Sequence, residues 1–317
     1  IDGDGDLDLV RGVYSDGLYV YLNENNQLNS VDDWNESGGV NPLRIHDISL
    51  GDVDNDGNLD VGLALISSVT PDSIRVYDDG GYSNSSWQAS RAYHTEHIRL
   101  ADFDNDGDVD LALGHDGVST DKNAFYFGRN MIMINHNGSI SQDPSWESDS
   151  VSYLSTIEIG DIDGDGDLDI LQSQPTNYSH ITLNNAGLMT NTDTKLTAND
   201  GEDTPADVAD YTTDVVAADL GYTSDSDVEY MTIIAANYNS KNLIYVVMED
   251  YGMWADWESA DSAASNSIAV ADFDDDGDLD FAIGNNGQNQ IFINGDGKCC
   301  ENFPETASWN SSDSLNT

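Results

Sequence analysis

Carboxylates recur in this chain at alternate positions, several at a time, and a glycine interrupts each run at the same place. The runs are Asp2, Asp4, Asp6 and Asp8 around Gly5, then Asp52, Asp54, Asp56, Asn58 and Asp60 around Gly57. Asp102, Asp104, Asp106, Asp108 and Asp110 surround Gly107, and Asp161, Asp163, Asp165, Asp167 and Asp169 surround Gly166. The last run is Asp272, Asp274, Asp276, Asp278 and Asp280 around Gly277. The shared form is D-x-D-x-D-G-x-x-D, and the first copy lacks its leading Asp. A hard cation of calcium size takes six to eight oxygens at roughly 2.3–2.6 Å in a flexible shell. Carboxylates at positions 1, 3 and 5 of a tight loop converge on one point. Glycine at position 6 adopts positive φ without a Cβ clash. The carbonyl of position 7 then faces the ion whatever its side chain, and a carboxylate at position 9 closes the shell. Without a cation, each carboxylate pair at 4 Å repels by about 1 kcal/mol in water and several-fold more near a protein surface. All the residues named are therefore expected to hold Ca2+ at about five structural sites. The loops should be ordered only with the ion present.

Other metals fit less well. Magnesium prefers fewer protein ligands and strict octahedral geometry. The histidines are scattered, and their one close pair, His94 and His97, reads as ordinary surface or packing histidine. An EF-hand needs Glu at position 12 and flanking helices. Position 12 here is Leu63, Leu113, Gln172 and Ile283 in the four complete copies, followed by β-forming runs such as Leu-Asp-Val-Gly-Leu-Ala-Leu-Ile. Those runs read as strands.

The loops are regularly spaced. Successive intervals are 52 (Asp2 to Asp54), 50 (Asp52 to Asp102) and 59 (Asp102 to Asp161) residues, then 111 (Asp161 to Asp272). The long interval hides a decayed copy, Asp219 to Glu229 with Asp225 and Asp227, which has two extra residues and lacks the turn glycine. Whether that copy holds metal stays open. Each repeat carries a short strand before the loop (His97–Leu100, Thr156–Ile159, Ser267–Val270) and one after it. A third strand ends in Asn or Asp-Gly chemistry: 18–23, 73–77, 131–135, 180–184 and 289–294. A fourth segment usually bears a tryptophan: Trp34, Trp87, Trp146, Trp257 or Trp309. Four strands in about 50 residues signify a β-propeller blade. The expectation is one all-β domain over 1–317, with repeats starting near 1, 45, 96, 155, 213 and 266. Six four-stranded blades are visible, and seven are possible if upstream sequence is missing. The tryptophans are read as packing between blades.

The unit Ala-Asp-Phe-Asp-Asn-Asp-Gly-Asp-Val-Asp-Leu-Ala-Leu-Gly, residues 101–114, resembles the FG-GAP/VCBS repeat of integrin-α-type propellers. The resemblance extends over essentially the whole chain. It implies a calcium-braced propeller, usually of seven blades, on extracellular proteins concerned with adhesion, glycan contact or scaffolding. It also implies that the loop joins the first and second strands of a blade, away from the ligand face, and that calcium there is structural. Two departures stand out. One loop is degenerate, and the chain opens inside a loop without the first strand of its first blade. A truncated sequence is the expectation; the alternative is a strand donated by a neighbouring subunit to the incomplete first blade.

Sixty Asp and Glu against ten Lys and Arg give a net charge of −50. Such a surface repels phosphates, so nucleic acid is excluded as a natural partner. Saline surroundings would screen the self-repulsion, since the Debye length falls to about 3 Å at 1 M salt. No stretch approaches the roughly 18 apolar residues of a membrane span. Cys299 and Cys300 are adjacent, and a disulfide between them, free thiols or links elsewhere are all open. The Asn-x-Ser sequons at Asn35, Asn84, Asn137, Asn177 and Asn310 suit surface turns. No nucleophile elbow, Cys–His set or carboxylate pair with a specific context stands outside the loops. The expected function is non-catalytic. It is a calcium-stabilised propeller, extracellular or at the cell surface, serving adhesion or a self-assembling filament or sheath. Its partners would be other protein subunits, surface proteins or glycans. The alternatives are a lectin-like glycan binder, using loops 116–130 or 222–227, and a propeller-based polysaccharide lyase or hydrolase.

Overall fold

A computed structural model describes residues 1, 4–14, 17–25, 27–29, 34–36, 44–65, 73–77, 86–89, 95–115, 129–148, 154, 156–173, 179–190, 194–195, 211–223, 229–248, 252–295, 299–300 and 303–312. Every regular element among them is a β-strand. The strands fall into two compact units, Ile1–Leu154 and Ser155–Thr317.

In the first unit, Leu9–Val13, Gly17–Tyr21 and Trp34–Glu36 pair in that order as a three-stranded sheet. The second sheet is Ile45–Gly51, Asp60–Leu65, Ser73–Tyr77 and Trp87–Gln88. The third is Thr95–Ala101, Asp110–His115, Met131–Met133 and Trp146–Glu147. All pairings are antiparallel, with the loops of the second and third sheets between first and second strands. Every residue of Asp60–Leu65 and Asp110–His115 is buried. That is why the sequence after these two loops is apolar on both faces: a central strand between stacked sheets has no solvent side. Val53, Ile74, Val76, Ile98, Leu111 and Met131 belong to one core where the second and third sheets stack. The first sheet lies close to the second. A Cβ on Gly12 would sit 2.6 Å from Ile45 Cγ2, so only glycine fits there.

In the second unit, Thr156–Gly160, Asp169–Ser173, His180–Thr182 and Thr194–Lys195 form a four-stranded sheet. Six further strands form one sheet, in the order Thr212–Thr223, Glu229–Met248, Gly252–Ala271, Asp280–Asn285, Gln290–Phe292 and Trp309–Asn310. Two of these strands serve two roles. Residues 229–237 pair back on Thr212–Thr223, whereas residues 238–248 pair forward on residues 252–264. Likewise residues 265–271 pair with Asp280–Asn285. The repeat hidden in the long interval thus keeps its strands although its loop has decayed.

The tryptophan positions lie on fourth strands, with Thr194–Lys195 the exception. Trp87 packs on the core of the second and third sheets and donates its Nε1–H to Ile140 O at 3.2 Å. Trp257 stands edge-on to Phe281, Phe292 and Phe303, at centroid distances of 5.7, 5.4 and 6.0 Å. These two pack between repeats as expected. Trp309, by contrast, is half exposed. Cys299 and Cys300 are joined to each other and buried beside that aromatic group.

Candidate metal centres

Each loop is laced together by its own carboxylates. Position 1 accepts from the backbone of the turn: Asp52 takes the N–H of Asp56 at 3.0 Å and of Gly57 at 2.9 Å. Asp102, Asp161 and Asp272 take the equivalent glycine N–H at 2.9, 3.0 and 2.9 Å. Position 5 accepts from the N–H of position 7, as in Asp106 from Asp108 at 3.0 Å and Asp165 from Asp167 at 2.9 Å. Two left-handed residues make the turn. Position 6 is Gly57, Gly107, Gly166 or Gly277, at φ 92–98°. A Cβ there would meet nothing within 4 Å, so the glycine is needed for its dihedral alone. Position 4 is also left-handed: Asn55, Asn105 and Asp275 at φ 58–64°, and Gly164 at 79°. Asn and Asp tolerate this region best after glycine.

Position 9 is the hub. Asp60, Asp110, Asp169 and Asp280 are buried. One oxygen accepts the N–H of position 2, from Val53, Phe103, Ile162 and Phe273, at 2.7–2.9 Å. In Asp110, Asp169 and Asp280 the other accepts the N–H of an asparagine after the third strand: Asn135, Asn184 and Asn294 at 2.7–2.8 Å. In the first copy Asn23 donates in the same way to Asp8 at 2.7 Å. The side-chain amide of each asparagine donates to the carbonyl of position 8: Leu7, Val109, Leu168 and Leu279. Asn135 also reaches Val53 O at 2.7 Å, and Asn294 reaches Leu220 O at 3.3 Å, each on the preceding repeat. These asparagines are site residues that the sequence reading took only as turn chemistry. Their recurrence at the end of the third strand was the available signal.

The carboxylate oxygens also gather. Ligand atoms of Asp52, Asp54 and Asp60 lie within 4.8 Å of one another, as do those of Asp102, Asp104 and Asp110, and of Asp161, Asp163 and Asp169. In the last loop the gathered set is Asp272, Asp274 and Asp276. Asp104 Oδ1 is buried without a hydrogen-bond donor. Gathered carboxylate oxygens, one of them buried and unpartnered, are the donor set of a hard cation, so the loops fit calcium. Position 7 would contribute through its carbonyl. Its side chain turns away: Asp6, Asp108 and Asp167 accept the N–H of Asn25, Asn137 and Ala186 in the hairpins beyond the third strands. Asn58 instead donates to Asp56 at 3.3 Å. Asp4 takes the N–H of Asp6 at 2.9 Å, a bond that Asp56 makes to Asn58 in the next copy, while Asp2 lies outside the described residues. So do Asp225 and Asp227 of the decayed copy, whose Asp219 accepts from Gly221 N–H at 2.9 Å. His94 and most of the proposed glycan loops, 116–128 and 224–228, also fall outside. His97 approaches Asp47 at 3.5 Å, among protein partners.

Comparison with known proteins finds a family match at the start of the chain and structural neighbours along most of it. The FG-GAP-like repeat family matches residues 1–63. No curated protein matches this chain. Among solved structures, BBS1N in complex with ARL6DN, soaked with mercury, superposes with a TM-score of 0.56 at 11% identity. The match covers 92% of this chain and 76% of that one. The lead-soaked form gives 0.52 at 13% identity, covering 91% and 75%. The fold is an all-β propeller.

Burial shifts several carboxyls of the acidic loops when no ion is present. It pushes the Asp110 carboxyl up to about 6 and that of Asp169 to about 7, against the bonds from Asn135 and Asn184 that favour the charged form. Asp104, Asp163 and Asp274 are also raised, by desolvation and then by the like charge two residues on. A carboxyl raised in the folded state binds more protons there than in the unfolded chain, so the contribution of these groups to the stability of the ion-free fold grows as pH falls from about 7 towards 4. The same protons would compete with a calcium ion at these carboxylates. The calcium-induced rise in melting temperature should therefore be largest at pH 8 and shrink steadily towards pH 5. Thermal melts with and without calcium at about pH 8, 6.5 and 5 check this; a shift that grows on acidification contradicts it.

Proposed function

We propose that this chain is a non-catalytic extracellular propeller, braced by calcium, that serves adhesion or the assembly of a surface filament or sheath. The observation that carries this reading is the repeated gathering of carboxylate oxygens at one strand junction in successive repeats. Repetition in four loops among the described residues suits a brace better than an active site, which needs one unlike cluster of acid, base or nucleophile. Asp110, Asp169 and Asp280 each hold two backbone N–H groups, one from the loop and one from the end of the third strand. An ion beside such a carboxylate would sit at the corner where first, second and third strands meet. Calcium at millimolar concentration is an extracellular supply, and exposed modules use it at affinities of about 10⁻⁴–10⁻³ M. The charge of −50 suits a saline exterior, where screening shortens the range of self-repulsion. A structurally similar propeller occurs in complex with a protein, which supports a protein-binding role.

The test is made on purified chain in calcium-containing saline. Electron microscopy and sedimentation should show assemblies, or binding to protein or glycan surfaces, that chelator abolishes. Turnover in a screen of neutral and anionic polysaccharides would replace this reading with an enzyme.

A further inference from the structure

We infer that Asn55 couples the calcium loops of the second and third sheets, so that the two sites fill cooperatively. The inference rests on the calcium reading above and adds a wiring that the repeat itself does not require. Asn55 occupies position 4 of its loop and is not a ligand. Its amide Nδ2 donates across the sheet boundary to Asp108 Oδ1 at 2.5 Å. Asp108 is position 7 of the next loop, the residue whose carbonyl would face the ion. Its other oxygen, Oδ2, accepts the N–H of Asn137 at 2.6 Å. Asp108 is buried, and its side chain is thus fixed from both sides.

Two further ties run the same way. Gly138, next to Asn137 in the hairpin, rides against the earlier loop: a Cβ there would lie 3.5 Å from Asp54 Cβ. Asn135 Nδ2 donates both to Val53 O and to Val109 O, joining position 2 of one loop to position 8 of the other. Three consecutive residues of the earlier loop are therefore anchored to the later repeat. When the earlier loop lacks its ion, carboxylate repulsion opens it and withdraws the Asn55 donor. Asp108 then loses one of its two fixed points, and the carbonyl of position 7 is no longer preset for a second ion. Filling either site stabilises the conformation the other needs, and such coupling is reciprocal.

Glycine already stands at position 4 of a sister loop, as Gly164 at φ 79°, so Asn55→Gly removes the amide while keeping the turn. The readout is the chain labelled with ¹⁵N-glycine, titrated with calcium. Gly57 and Gly107 N–H groups donate to Asp52 and Asp102, so each reports its own loop. In the unaltered chain both resonances should move along one steep curve with a Hill coefficient above about 1. In Asn55→Gly the curves should part, with the Gly107 midpoint moving to about fivefold higher calcium, the low end of ordinary coupling. Asp275→Gly, the same change in the last loop, should leave the joint curve intact. Independent curves in the unaltered chain, or unchanged steepness in Asn55→Gly, overturn the coupling while leaving calcium binding in place. If neither glycine responds to calcium, the calcium reading falls too.

Discussion

Chelation is expected to lower the melting temperature by about 6 °C or more and to expose the loops to protease. The magnitude follows from the gathered carboxylates. Three charges within 4.8 Å of one another make three repelling pairs in each cluster. At the effective dielectric near a protein surface, each pair costs about 3 kcal/mol. The loops relax part of this by spreading or by taking protons, as the raised Asp110 and Asp169 indicate. Even a residue of about 1 kcal/mol per loop, over four loops, removes several kcal/mol from a total that is ordinarily about 5–15 kcal/mol. For a chain of 317 residues, each 1 kcal/mol moves the midpoint by about 1.5 °C. Melting and limited proteolysis in calcium and in chelator provide the comparison, run in the same high-salt buffer so that general screening is constant. Superimposable curves and fragment patterns would mean that the loops are ordinary acidic turns.

Much of this was legible in the sequence, and the reason is local. The glycine at position 6 and the carboxylates at 1, 3 and 5 act within one turn, so their spacing alone carries the geometry. The buried second strands announce themselves as apolar runs because both faces are covered. What could not be read involves bonds between distant residues. The N–H that meets Asp110 comes from Asn135, and the amide that reaches Val53 O comes from the same residue, 82 positions away. No local pattern links such partners. The first strands add a second case. Register breaks at Ile45/Asp47, Thr95/His97, Thr212/Asp214 and Ser265/Ser267 mark a repeated bulge. After it, Asp47 and Asp214 accept the N–H of Ile98 and Ile268 from the next repeat, at 3.1 and 2.8 Å. Both aspartates stand five residues before a loop, an interval that carries no turn or ligand chemistry of its own. The exposed Trp309 departs from its sisters for a reason that composition cannot supply, since a tryptophan is buried only where an adjacent sheet covers it.

The distinction between brace and ligand separates the two ends of each loop, and substitution should reveal it. Asp161 and Asp169 both belong to the same gathered cluster. Asp161 holds Gly164 and Gly166 N–H groups in an exposed turn, where water can replace a lost acceptor. Asp169 is fully buried and holds the N–H of Ile162 and of Asn184, each at 2.8 Å. Leaving a buried donor unsatisfied costs about 1–3 kcal/mol. In chelator, Asp161→Ala should therefore melt within a few degrees of the unaltered chain, whereas Asp169→Ala should lose about 2–6 kcal/mol, two orphaned donors' worth. In calcium both should fall, because each removes an oxygen from the cluster, and Asp169→Ala should fall further. Denaturant unfolding in both buffers separates the contributions. Equal losses for the two variants in chelator would show that position 9 is a ligand only, and that the third strand is held to its loop by something other than this carboxylate.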